Sequence, residues 1–143
     1  MEGLHQLIDY GVLGLLLALS VVAVAIALER FLVHRTTNVA GYADRKELEL
    51  HLTKKLHLIA TIGTNAPYIG LLGTVLGIML TFYDIGAVGF DTTKIMTGLA
   101  LALKATAMGL LVAIPGVTLY NLLLRKCKVL LLQWDIHHGR KGI

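Results

Sequence analysis

The chain has 143 residues, 56% of them hydrophobic and only 15% charged, with a mean hydropathy of +0.74, whereas a soluble domain carries about a quarter charged residues. A single cysteine, Cys127, excludes an internal disulfide framework and makes no metal motif, so it reads as small apolar filler. The net charge of +4 would suit nucleic acid, but the basic residues flank hydrophobic runs, and no Walker loop, GxGxxG, HExxH or CxxC is present. The expectation is a membrane protein that is not an enzyme and uses no cofactor, metal or nucleic acid.

Met1 to Tyr10 carries Glu2, His5 and Asp9 but no Lys or Arg. Gly11 to Leu28 then runs without a charge and ends at Glu29-Arg30, long enough to cross a hydrocarbon core of roughly 30 Å. A basic n-region and a small-residue cleavage site are both missing, so this run reads as an uncleaved transmembrane helix rather than a signal peptide. The next segment is the most basic, with Arg30, Arg35, Arg45, Lys46, Lys54 and Lys55. Thr36 to Gly41 reads as a turn. Leu48, Leu52, Leu56 and Ile59 follow at helical spacing, which predicts an amphipathic helix extending the next membrane helix below the bilayer; a helix lying on the membrane surface is the alternative.

Leu58 to Tyr83 is the second span, with no formal charge and with Pro67 either bending it or simply tolerated. Within it Gly70, Gly73 and Gly77 recur at helical spacing around Thr74. Glycine in a helix interior costs roughly 1 kcal/mol against Ala, and close approach of a neighbouring helix offsets that cost in a membrane. Asp84 to Thr97 reads as a short polar loop with one basic residue, Lys94.

Gly98 to Leu124 is the third span. Gly98, Ala102, Ala105, Gly109, Ala113 and Gly116 fall at steps of three and four, which puts six small residues on one face as a helix-packing seam. Thr106 lies on its shoulder, Lys104 projects away from it, and Pro115 is tolerated within it. The tail, from Arg125 to Trp134 and His137-His138-Gly139-Arg140-Lys141, continues this helix out of the membrane. The two histidines there read as a solvated helix end, with metal ligation as the lesser alternative.

Eleven of the thirteen Lys and Arg residues lie in the Arg30–Lys55 segment or the tail. The positive-inside rule then places the N-terminus outside and the C-terminus inside. The predicted fold is all-α: one membrane domain over 1–143, with three transmembrane helices at about 11–29, 62–84 and 97–121, N-out and C-in, the second and third extended into the cytoplasm.

Two stretches carry a resemblance: Ala66-Pro67-Tyr68-Ile69-Gly70-Leu71-Leu72-Gly73-Thr74-Val75-Leu76-Gly77-Ile78-Met79, and Ala105-Thr106-Ala107-Met108-Gly109-Leu110-Leu111-Val112-Ala113-Ile114-Pro115 followed by Tyr120-Asn121. With Leu28-Glu29-Arg30-Phe31 after the first span, they resemble the ExbB/TolQ/MotA family of proton-channel subunits. The resemblance implies a homopentamer in the inner membrane of the cell, its second and third helices lining a pore that holds helices of an ExbD-like single-span partner. Such a complex uses the proton gradient to drive a TonB-like protein that energises outer-membrane receptors; a TolQ-like role in envelope maintenance is the nearest alternative. Thr74 and Thr106 match the family's pore-lining threonines, whose hydroxyls both donate and accept without burying a charge. Against this stands the ordinary habit of a membrane Thr to bond its own i−4 carbonyl, and a purely structural scaffold is the competing class.

One position departs from the family. Members commonly carry a glutamate in a Gly-x-Ala-Glu-Ala pattern, and here the stretch reads Gly98-Leu99-Ala100-Leu101-Ala102. With Leu101 in the acid's place, the titrating carboxylate is expected on the ExbD-like partner. Lys104, the remaining membrane charge, costs roughly 2.5–3.5 kcal/mol at a bilayer centre. It either pairs with acidic groups of the partner or neighbouring subunits or snorkels to a wet surface.

Overall fold

The computed structural model describes the backbone of residues 2–141 and the side chains of residues 3–139; the Arg140 and Lys141 side chains counted in the tail's charge lie outside them. Among the described residues the order is α1 (Glu2–Thr36), a 3-10 turn (Val39–Gly41), α2 (Arg45–Thr53), α3 (Leu56–Val88) and α4 (Thr92–Lys141). α1, α3 and α4 are long and apolar enough to cross a membrane. At 1.5 Å per residue the 35, 33 and 50 residues of these helices reach roughly 50 to 75 Å, well beyond a hydrocarbon core of about 30 Å. Each therefore carries an apolar run plus turns that project past it. α3 runs through Pro67 and α4 through Pro115 without interruption.

Two expectations are corrected. The Leu48-Leu52-Leu56-Ile59 pattern is not one helix continuing into the second span. α2 ends at Thr53 and α3 begins at Leu56, with Lys55 between them in the left-handed region (φ 67°). All four residues are nevertheless buried in one cluster with Ile26, Ala27, Leu123, Cys127 and Leu131; the periodicity recorded a shared core, not a continuous helix. The second loop is also shorter than Asp84 to Thr97, because α3 stays helical to Val88 and α4 starts at Thr92. Gly89, at φ +100°, makes the reversal, a conformation that favours glycine.

The bundle packs around two apolar clusters and is apolar on its outer faces too. A second cluster joins Leu16 and Ala23 of α1 to Ile62 and Ala66 of α3 and Val112 and Ala113 of α4. The outward faces carry Leu17, Val21 and Leu28 on α1, Tyr68, Leu72, Met79 and Phe82 on α3, and Leu103, Leu111 and Ile114 on α4, all exposed. Such faces suit lipid or other helices rather than water.

α2 is fastened to the basic end of the bundle through its own unpaired groups. Its first turn is capped by Asp44, whose carboxylate accepts from the Lys46 N–H at 3.0 Å. At the other end, helix geometry leaves the last carbonyls without partners, and side chains of α1 and α4 supply them. Arg30 Nη1 donates to the His51 carbonyl at 2.9 Å, His34 Nε2 donates to the Leu52 carbonyl at 2.7 Å, and the Cys127 thiol donates to that same carbonyl at 3.3 Å. A guanidinium at a helix C-terminus also complements the dipole.

Arg30, His34 and Cys127 are 4%, 2% and 1% exposed. Burial pushes the Cys127 thiol up to about 11, so it stays protonated.

His34 lies beyond the apolar run that ends at Leu28. Burial holds its pKa below the ordinary 6.5, with the charges of Arg30, Lys126 and His51 acting the same way and the Leu52 bond opposing them. The unfolded chain therefore binds a proton that the fold does not. The resulting stability is complete above the unfolded value and lost as pH falls toward the folded one. Thermal unfolding should show decreasing stability from about pH 7.5 to about pH 5, and His34→Gln should flatten that slope.

Candidate functional site

The close contact of the molecule is where α3 meets α4. A Cβ placed on Gly70 would lie 2.6 Å from the Ala105 carbonyl oxygen, and one on Gly109 would lie 2.7 Å from that of Ala66. Both distances are shorter than any real carbon tolerates, so two backbones touch here only because neither carries a side chain. A Cβ on Gly73 or Gly77 would lie 2.8 or 2.9 Å from the methyl of Ala105 or Ala102, and one on Gly98 would meet the Thr81 side chain. Ala102, Ala105 and Ala113 are buried, Ala113 within the cluster that also holds Leu16 of α1. The small residues of the third span thus lie against those of the second along several turns.

Thr74 is set into this seam and 7% exposed. Its hydroxyl lies 2.9 Å from the Ala102 carbonyl on α4 and 3.3 Å from its own i−4 carbonyl, Gly70. The shorter bond crosses between helices. Thr106 Oγ1 is in direct hydrogen-bond contact with Thr74 Oγ1. Ala102 is also the i−4 residue of Thr106, so Thr74 occupies the carbonyl that Thr106 would ordinarily use.

One hydroxyl has one proton to give. Thr74 gives its proton to the Ala102 carbonyl, so its lone pairs accept from Thr106. Thr106 is half-buried. Two neutral hydroxyls in contact satisfy each other with no buried charge.

The other side of the seam faces α1. Gly73 meets Val12, and Leu101 lines a narrow cleft with Asp9. Lys104 Nζ donates to Asp9 Oδ2 at 3.3 Å, with the lysine 45% and the aspartate 26% exposed. At 100° per residue, Lys104 and Thr106 stand on opposite sides of α4. Lys104 therefore has a carboxylate of its own chain within reach, a partner that sequence reasoning missed. His5 pairs likewise with Asp84, at 2.7 Å. The only local signal was that His5 and Asp9 share one helix face at i, i+4.

His137 and His138 pack against each other edge to face, and His138 stacks on Trp134. Trp134 in turn donates to the Tyr42 carbonyl at 2.9 Å, fixing the tail over the first loop.

Three long apolar helices, two of them joined through glycine contacts with paired hydroxyls, define a multi-pass membrane protein built for close helix packing. The MotA/TolQ/ExbB proton channel family matches residues 30–136. The chain belongs to that family. It is 60% identical over 136 residues to the protein called ExbB-like 2 in Helicobacter pylori, covering 94% of this chain and 91% of that one. It is 57% identical over 140 residues to the biopolymer transport protein ExbB of Aquifex aeolicus, covering 97% and 95%. To the Tol-Pal system protein TolQ of Pseudomonas aeruginosa it is 42% identical over 90 residues, 62% of this chain and 37% of that one.

Proposed function

We propose that this chain is the ExbB-type subunit of an inner-membrane, proton-driven complex, and that Thr74 and Thr106 lie on its proton pathway. The observation that carries the reading is the hydroxyl pair itself: besides its own i−4 carbonyl, Thr74 reaches the closer Ala102 carbonyl on α4, and Thr106 is in contact with Thr74. A threonine serving only its own helix would use its i−4 carbonyl. Near end-to-end matching to relatives of Helicobacter pylori and Aquifex aeolicus named for ExbB and biopolymer transport favours transport over envelope maintenance, and on this reading it is energised through a TonB-like protein.

On this reading the basic end of the bundle, with Arg30, α2 and the tail, faces the cytoplasm, as the positive-inside rule requires. Five copies surround the single-span helices of an ExbD-like partner, which brings the titrating carboxylate that Leu101 does not provide. The seam residues Gly70, Gly73, Gly77, Gly98, Ala102, Ala105, Gly109 and Ala113 hold α3 and α4 as one rigid pore-lining unit. Lys104 has further N–H donors beyond the one given to Asp9, which supports pairing with an acidic group of the partner or a neighbouring subunit. The energy scale fits: one charge crossing 100 mV yields about 2.3 kcal/mol.

The test is co-expression with a single-span, aspartate-bearing membrane protein encoded beside this chain, followed by purification and native mass measurement. The expected result is a stable complex with several copies of this chain around fewer copies of the partner. A homo-oligomer that ignores every such partner would leave the structural scaffold as the better account.

A further inference from the structure

The first turns of α1 are held to the bundle by charge rather than by packing. Among the described residues, the buried apolar clusters take in α1 only from Val12 onward. Before that point His5 and Asp9, one helical turn apart, reach across to α3 and α4. His5 Nε2 lies 2.7 Å from Asp84 Oδ2, and Asp9 Oδ2 accepts from Lys104 Nζ at 3.3 Å.

Two hollows surround these pairs and share His5, Gln6, Gly98 and Leu101. One is a cavity of about 560 Å³ at the end of the bundle; the other is a cleft of about 90 Å³ that runs down to Gly73 and Ala105.

The two pairs differ in kind. A carboxylate and an ammonium both keep their charge across the physiological range, whereas an imidazole changes charge between about pH 5 and about pH 8. His5 is 29% exposed, so solvent protons reach it. Asp84 Oδ1 is buried without a hydrogen-bond partner among the described residues, and Oδ2 has His5. A buried carboxylate oxygen left unpaired is costly, so the carboxylate leans on its contact with His5. Among the described residues, Asp91 and Lys94 beside the start of α4 line the cavity with His5, and Asp9, one turn along α1, pairs with Lys104.

We propose that His5 and Asp84 form a proton-binding clasp. A proton taken from water by the His5 imidazole converts a hydrogen bond to Asp84 into an ion pair and draws the first turns of α1 onto α3 over the cavity. Loss of that proton lets those turns loosen about the Asp9–Lys104 pair, which acts as the pivot. Only an N–H bond forms or breaks in this cycle.

Spin labels at Gly3→Cys and Gly86→Cys test it, since a Cβ at either position meets nothing within 4 Å. Cys127 is 1% exposed and is left in place. The labelled chain is diluted with unlabelled chain in lipid vesicles, and the distance distribution is recorded at about pH 8 and about pH 5.5. The expected result is a broad component at the higher pH that is lost at the lower one. In His5→Gln, which keeps a donor to Asp84 but takes no proton, the broad component should persist at both. An unchanged wild-type distribution would overturn the clasp, and so would a His5→Gln chain that narrows as the wild type does. The result is independent of whether the chain conducts protons.

Discussion

Gly70→Val is expected to abolish assembly. Its first added carbon would sit 2.6 Å from the Ala105 carbonyl oxygen, with the Gly109 and Thr106 Cα atoms at 3.1 and 3.2 Å. Overpacking a core that can adjust costs typically 1–3 kcal/mol. Here every neighbour is backbone, so relief requires α3 and α4 to separate, which breaks the Thr74 contacts as well. Gly14 is the matched control, because a Cβ there meets nothing within 4 Å. In detergent, Gly14→Val should give the wild-type native mass and unfolding temperature, and Gly70→Val should lose both. A Gly70→Val protein with wild-type mass and unfolding would show that the helix contact is looser than described.

Thr74→Ala and Thr106→Ala are expected to leave the bundle assembled and lower proton flux at least about tenfold, equivalent to about 1.4 kcal/mol in the barrier. Alanine removes the hydroxyl without putting a methyl at hydrogen-bond distance from the Ala102 carbonyl. A typical hydrogen bond contributes about 1 kcal/mol to stability, so the packing of glycine on backbone should survive. In Thr74→Ala the Thr106 hydroxyl falls back on its own i−4 carbonyl, Ala102; in Thr106→Ala, Thr74 keeps its bond to Ala102 but nothing leads to it. Thr74→Ser and Thr106→Ser keep the hydroxyl and should keep most of the flux. Dye-reported proton uptake into liposomes carrying the complex reads the effect. Equal flux in the alanine and wild-type proteins would move the pathway away from this pair.

The membrane helices were legible because uncharged runs such as Gly11–Leu28 have few alternatives to helix once they lie in lipid. The break between α2 and α3 was not. Lys54 and Lys55 carry no glycine or proline signal, and leucines recur at helical spacing on both sides. What ends α2 is tertiary: Arg30 and His34 of α1 take its last carbonyls, and Lys55 adopts a left-handed conformation unusual for its type. Gly86 and Gly89 both read as loop residues, yet only Gly89 needs a positive φ.

The spacing of Gly98, Ala102, Ala105 and Gly109 defines a face but not what covers it. Whether Thr74 bonds its own helix or its neighbour depends on how close the backbones come, which no periodicity states. His5–Asp84 and Asp9–Lys104 join positions 79 and 95 residues apart, so no local pattern announces them.

Assembled with a single-span partner, this chain is expected to carry protons. The direct measurement is proton uptake into liposomes containing the purified complex under an imposed membrane potential, compared with protein-free liposomes of the same lipid. Uptake should rise with the potential and depend on the hydroxyls of Thr74 and Thr106. A correctly assembled complex as proton-tight as bare lipid at every potential would contradict it.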